Sequence, residues 1–246
     1  MKISPYSQGN ENFDLKAKLR ADNIFSKYDF YNEVFCNNEI IFSNFKHFVK
    51  KYRRKKILII GGGPSTKGML EKDYESIFSK YDYLWSSNSF FLNSKLKNIK
   101  IDLAMMMLEP NLKSVEFQKY YEKFKPVIGF ELHNKWKNYR PAFDEMFMMQ
   151  TRFYGIIGVC QRMIIFASFI GADTIGFVGL DGLKSMKAGD HSFEKNKKSL
   201  PSITNEDTFQ YQSDVFWDYI NDRYKKPKIV NHGNDVSYHR NLKKRV

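Results

Sequence analysis

The chain has 246 residues, 42% of them hydrophobic, which supports one substantial core and is short for two full domains. Forty Lys and Arg against 27 Asp and Glu leave a net charge of +13, which suits an acidic partner such as nucleic acid, an anionic membrane surface or a phosphorylated substrate without choosing among them. Cys36 and Cys160 lie far apart without metal-ligand spacing, no apolar run reaches the roughly 18 to 20 residues that cross a bilayer, and the start lacks a signal-peptide core; a cytoplasmic protein, soluble or peripherally attached, with no bound metal and no disulfide framework is expected.

Residues 1–53 are polar and aromatic-rich, end in the basic run "KKYRRKK", and read as an N-terminal helical extension to a domain at 54–246. The basic run fits a solvated helix end or a contact with an anionic surface. Short continuous apolar runs at 55–61, 81–87, 101–107, 125–131, 173–179 and 227–231 read as buried strands. Mixed three and four spacing of apolar residues predicts helices at 67–80, 113–124, 155–171 and 212–225, with Gly171 placed to stop the third. Strand alternating with helix means right-handed crossovers and a mostly parallel sheet, an α/β domain. The segment 182–211 is polar and poorly periodic, longer than a simple connection.

In a parallel sheet, ligands bind where strands end and helices begin. "GGGPST" follows the first predicted strand, and its glycines allow a tight turn and a close backbone approach, with helix-start amides that favour phosphate. A tight turn without ligand would use the same residues. The stretch is not Gly-x-Gly-x-x-Gly, because Thr66 stands at the third glycine, and it lacks the Gly-Lys-Ser/Thr of a Walker loop. Other predicted strand ends offer Ser87, Asn88 and Ser89, then Glu109 and Asn111, then Asp181 between glycines. Each of these also suits ordinary turn chemistry.

"IIGGGPS", "SNSFF", "GADTIGFVGLDG" and "KIVNHGNDVS" together resemble bacterial lipooligosaccharide sialyltransferases over roughly residues 55–235. They resemble equally the DUF115 superfamily that contains motility-associated flagellin glycosyltransferases and archaeal 6-hydroxymethylpterin pyrophosphokinases. The resemblance implies a single Rossmann-like domain with a donor nucleotide against Gly61, Gly62, Gly63, Pro64 and Ser65, and Asn88 beside it. Glu109 or Asn111 would take the next strand-end position. "TRFYGIIGVC" is similar to the sialyltransferase Arg-Ile-Thr-Ser-Gly stretch, which matches Arg152 to its arginine and places Gly155 and Ile156 where Ser-Gly would stand. The sialyltransferase general-base histidine has no counterpart in "FQYQSDVFW".

His191, in "GDHSFE", is the imidazole available in the long segment. It suits a general base at neutral pH, and it suits equally a solvated loop residue. The expected function is therefore a nucleotide-sugar-dependent glycosyltransferase using a CMP-activated or similar donor, which is a substrate, with no further cofactor and with an anionic glycan or glycolipid as acceptor. His191, Asp181 and Arg152 are its expected catalytic residues. A pyrophosphokinase that uses ATP and magnesium on a hydroxymethylpterin-like alcohol is the alternative. A basic nucleic-acid-binding module is the third reading, and it lacks a recognition helix, zinc finger or RNP-type strand. The basic terminal "YHRNLKKRV" fits peripheral membrane contact or a solvated tail.

Overall fold

A computed structural model describes residues 49–131, 143–149, 158–181, 191–194, 213–214, 216–221, 224 and 227–233. Seven strands form one sheet in the order β5-β4-β3-β2-β1-β6-β7. They are β1 (Lys56–Ile60), β2 (Tyr83–Ser87), β3 (Leu103–Met105), β4 (Val127–Glu131), β5 (Met146–Met149), β6 (Thr174–Val178) and β7 (Lys228–Asn231), and each neighbouring pair is parallel. This is an α/β, Rossmann-like arrangement, with the parallel sheet expected from the alternation of apolar runs.

The central strand shows why a continuous apolar run was the right signal. Alternate residues of "KILII" leave opposite faces of the sheet, and both faces are covered, so all four must be apolar. Ile57 and Ile59 join one core with Trp85, Met163 and Phe177; Leu58 and Ile60 join the other with Phe90, Phe117 and Phe130. Helix α1 (Pro64–Lys72) covers the second face through Met69 and Leu70, as does α4 (Val115–Phe124) through Phe117, Tyr120 and Tyr121. Helix α5 (Val159–Phe169) covers the first face, joined there by Phe216, Trp217 and Ile220 of the helical residues 216–221. Trp217 is thus a core residue.

Three local readings change. The helix expected at 67–80 begins at Pro64, whose missing N–H suits a first helical position, and it breaks at Asp73 before α2 (Tyr74–Phe78). The helix expected at 113–124 is α4 preceded by the short α3 (Glu109–Leu112); Ser114 caps α4 by accepting the Phe117 N–H at 3.2 Å, and Lys125 ends it in the left-handed region. Strand β5, "MFMM", was not foreseen, because methionine carries little β preference. Gly171 does stop α5, at φ +83°.

Of the expected extension, residues 1–48 lie outside the described residues. Residues 49–52 are helical and belong to the domain: Tyr52 is fully buried, edge-on to Tyr83 at 4.7 Å and to Trp85 at 5.2 Å. The exposed residues Arg53 to Lys56 of the basic run lie at the amino edge of the sheet, opposite the glycine stretch. No helix among the described residues is long and apolar enough to cross a membrane.

Candidate functional site

Strands β1 to β5 are laid down outward in chain order, and the chain then returns to place β6 on the other side of β1. The switch point between β1 and β6 is where a doubly wound sheet opens a crevice. The residues that end these two strands are Gly61–Ser65 and Gly179–Asp181.

The two turns lie directly on each other. The Gly61 N–H donates to Val178 O at 2.8 Å and the Gly63 N–H to Gly179 O at 3.0 Å. A side chain on Gly61 would put its Cβ 2.7 Å from Gly179 O and 2.8 Å from Cys160 Sγ; one on Gly63 would meet Gly179 O at 2.7 Å and Asp181 Oδ2 at 2.5 Å. Both glycines are needed for backbone to pack on backbone.

Polar side chains complete the joint. The Ser65 N–H donates to Asp181 Oδ2 at 2.8 Å, and Ser65 Oγ accepts the Gly179 N–H at 2.9 Å. Asp181 is buried. Thr66, also buried, donates its hydroxyl to Gly61 O at 2.7 Å. Beyond β7, Gly233 packs over this pair, because a Cβ there would stand 2.6 Å from Ser65 Oγ and 3.0 Å from Asp181 Oδ1.

Residues 191–194 belong to the same place. The Ser192 N–H donates to Gly62 O at 2.7 Å, its hydroxyl donates to Gly63 O at 2.5 Å and accepts the Lys67 N–H at 3.1 Å, and Asn93 Nδ2 donates to Ser192 O at 2.8 Å. His191 lies against Gly62, whose missing side chain leaves the room its ring occupies. The His191 ring nitrogen Nδ1 accepts N–H groups of Phe193 at 3.2 Å and Glu194 at 3.3 Å.

The expectation of free amides for phosphate is therefore revised. Pro64 has no N–H, Ser65 N–H is held by Asp181, Thr66 N–H by Gly63 O at 3.1 Å, and Lys67 N–H by Ser192. The chain caps the first turn of α1 itself. The Gly62 N–H is the turn amide with no partner among the described residues.

The structure thus brings Gly61, Gly62, Gly63, Pro64, Ser65, Asp181 and His191 together. It places Asn88 directly after β2, and Glu109 and Asn111 in α3 after β3. Asn88 sits in the left-handed region at φ +51°, which asparagine tolerates, and its Oδ1 accepts the Met107 N–H at 2.8 Å. Asn111 Nδ2 donates to Ser89 Oγ at 2.9 Å. Glu109 opens α3, its side chain lying outside the described residues, as do Arg152 and Gly155. Of the segment 182–211, only 191–194 is described.

Sequence reasoning passed over Asn93, Ser192, His232 and Gly233. For the last two the signal was the one used elsewhere, polar residues and a glycine directly after a strand. His232 Nε2 is 2.7 Å from the Tyr81 hydroxyl, whose ring fills the space left by Gly176. Burial and then the charge of Lys80 lower the His232 pKa, and burial pushes Tyr81 up to about 12. Cys160 is buried, and burial pushes its thiol up to about 11, so it is a packing residue at the glycine turn. No cluster of metal-ligating residues occurs among the described residues.

No protein-family model matches the chain, and no curated protein matches it. Among solved structures, it is similar to the MAf glycosyltransferase from Magnetospirillum magneticum AMB-1, with a TM-score of 0.46 and 11% identity over 76% of this chain. The chain spans 34% of that protein's length.

Proposed function

We propose that the protein is a nucleotide-sugar-dependent, sialyltransferase-like glycosyltransferase that moves a sugar from a CMP-activated or similar donor to a glycan or glycolipid. The sequence resemblance suggests the class. The observation that carries it to a site is the meeting of the Gly61–Ser65 turn with a buried carboxylate, Asp181, at the switch point, with His191 and Gly233 over it. A donor nucleotide at that strand-end edge would lie beside the turn to which residues 191–194 are fastened.

The chemistry proposed is direct displacement. The acceptor oxygen forms a bond to the donor carbon, the bond from that carbon to the phosphate oxygen breaks, and the electron pair leaves with the nucleotide. The acceptor proton passes to a base. Asp181 is the better candidate, because the lone-pair nitrogen of the neutral His191 ring already accepts two amides. Arg152 would hold the leaving phosphate, the role its matched motif suggests.

A thermal-shift screen against CMP, CDP, UDP, GDP, ADP and ATP, with and without magnesium, tests this proposal. A ligand that binds only the folded state raises Tm with occupancy. We expect CMP or another pyrimidine nucleotide to raise Tm by a few degrees, on the order of 1–3 kcal/mol of linkage, with or without the metal. Stabilisation by ATP alone, and only with magnesium, would overturn it in favour of diphosphate transfer.

A further inference from the structure

We infer that the amino edge of the sheet is a membrane-docking surface, on which Arg53, Arg54, Lys55, Lys56 and Lys228 meet anionic lipid headgroups and Phe169 enters the layer beneath them. The surface lies away from the proposed ligand site and works without it.

The five cations form one cluster because the start of β1 is bonded to its neighbours. The Arg54 N–H donates to Gly171 O at 2.8 Å, and the Arg53 side chain passes the same glycine, its Cγ 3.5 Å from where a Cβ would stand. The Asp173 N–H donates to Lys55 O and the Lys228 N–H to Asp173 O, each at 2.9 Å. In the sheet Lys56, Thr174 and Lys228 stand side by side on β1, β6 and β7. With strands about 4.8 Å apart, the backbones of Lys56 and Lys228 are roughly 10 Å from each other. All five side chains are exposed, and among the described residues none is paired with a carboxylate. Asp82 and Asp173 are exposed among them, so positive charge is in excess.

Phe169 supplies an independent observation. It lies in the last turn of α5, two residues before Gly171, and is 52% exposed although Met163 to Ser168 of the same helix are all buried. An aromatic ring left in water near a group of cations is what an interfacial surface needs. The cations gain from an anionic lipid layer, and the ring gains by leaving water.

A bilayer suits this surface better than a nucleic acid does. Asp82 and Asp173 interrupt the cations, and a strand of phosphates at fixed spacing would have to cross them. Lipids diffuse, and so gather under the positive positions alone.

Docked by its amino edge, the protein turns the Gly61–Ser65 turn away from the bilayer, beyond the five residues of β1, which span about 17 Å. An acceptor carried on the same membrane would need a glycan of at least that reach.

The test is co-sedimentation of the full chain with vesicles of phosphatidylcholine, alone or with roughly one-third phosphatidylglycerol, at about 0.1 M salt. We expect binding to the anionic vesicles only, weakening as salt rises. Arg53→Gln with Lys228→Gln should lower the partition coefficient at least tenfold, on the order of what two cations contribute at an anionic surface. Phe169→Ser should lower it roughly tenfold at unchanged charge. Lys113→Gln with Lys119→Gln, which removes the same charge from exposed positions before and on α4, should stay within about threefold of wild type. Every substituted side chain is exposed, so each variant keeps its core. No binding to anionic vesicles, equal binding to neutral ones, an equal loss in the Lys113 and Lys119 variant, or no loss from Phe169→Ser overturns the inference. A single-stranded oligonucleotide bound more tightly than the vesicles, and released by the Arg53 and Lys228 substitutions, overturns it in favour of a nucleic-acid surface.

Discussion

The two edges of the sheet face opposite chemical demands, and the chain meets them differently. Because all strands run parallel, the amino edge presents N–H groups that need acceptors and the carboxyl edge presents carbonyls that need donors. At the amino edge the acceptors are carboxylates on exposed or part-exposed loops: Asp82 takes the Lys56 N–H at 2.8 Å and Asp102 takes the Leu84 N–H at 2.9 Å. Around them stand solvent-facing cations, in pairs such as Lys100–Asp102 at 3.9 Å and Lys125–Asp144 at 3.6 Å. At the carboxyl edge the donors are short hydroxyls, with Thr66 on Gly61 O, Ser86 on Ile60 O and Ser192 on Gly63 O. Short side chains and bare glycines leave little freedom. Among the described residues, the buried hydroxyl joints lie at the carboxyl edge and the exposed ion pairs at the amino edge.

A matched pair of glycines gives the largest effect expected from this contrast. Gly171 at the amino edge and Gly179 at the carboxyl edge share the left-handed region, at φ +83° and +74°. An alanine at 171 meets nothing nearer than Arg53 Cγ at 3.5 Å, whereas an alanine at 179 runs into Gly61 O and Thr66 Oγ1. Gly171→Ala should cost about 1 kcal/mol, the backbone penalty alone. Gly179→Ala should cost roughly 3 kcal/mol or more, as a clash with immobile backbone adds to that penalty. Urea denaturation measures both, and equal costs would end the claim that the carboxyl edge is the rigid one.

Removing one polar group from each edge should give a smaller difference of the same sign. Ser65→Ala leaves the Gly179 N–H without its acceptor in a part-buried joint and should cost about 1–2 kcal/mol. Lys125→Ala removes half of an ion pair between exposed side chains, 52% and 71% accessible, and should change stability by less than about 0.5 kcal/mol. A lysine variant that proved as harmful as the serine variant would break the comparison.

The smallest effect is a pH dependence from His232. Its pKa in the folded chain is lowered, so the unfolded chain binds more protons as pH falls through the ordinary histidine range. The stability it contributes is present above that range and is lost as pH drops through the folded value. Wild type should therefore lose some denaturation midpoint between neutrality and about pH 5.5, and His232→Gln should flatten that slope. A variant with an undiminished slope would place the titration elsewhere.

Six strands and their parallel pairing were legible because a strand buried on both faces must be a continuous apolar run, and "KILII" or "DTIGFVG" can be little else. β5 was illegible because "MFMM" fits a helix as well as an edge strand. In the site, position was legible and purpose was not. The glycines after β1 announce that something comes close to the backbone, yet only the fold shows that Gly179, Asp181 and His191 are among the things that do. Pairings that span the chain, such as Ser192 on Gly63 or Gly233 over Ser65, leave no local pattern to read.

The position of β6 has a consequence for synthesis. Strand β1 can pair with β2 almost as soon as both leave the ribosome, but its other edge waits for β6, and the Ser65–Asp181 bond that seals their ends joins residues 116 positions apart. Until then, the most apolar strand of the sheet offers an unpaired ladder to any other nascent chain, and β6 in turn stays bare until β7 emerges. The half-made protein is thus at its most adhesive just before the crevice forms. The crevice is assembled last, from segments that are far apart in the order of translation.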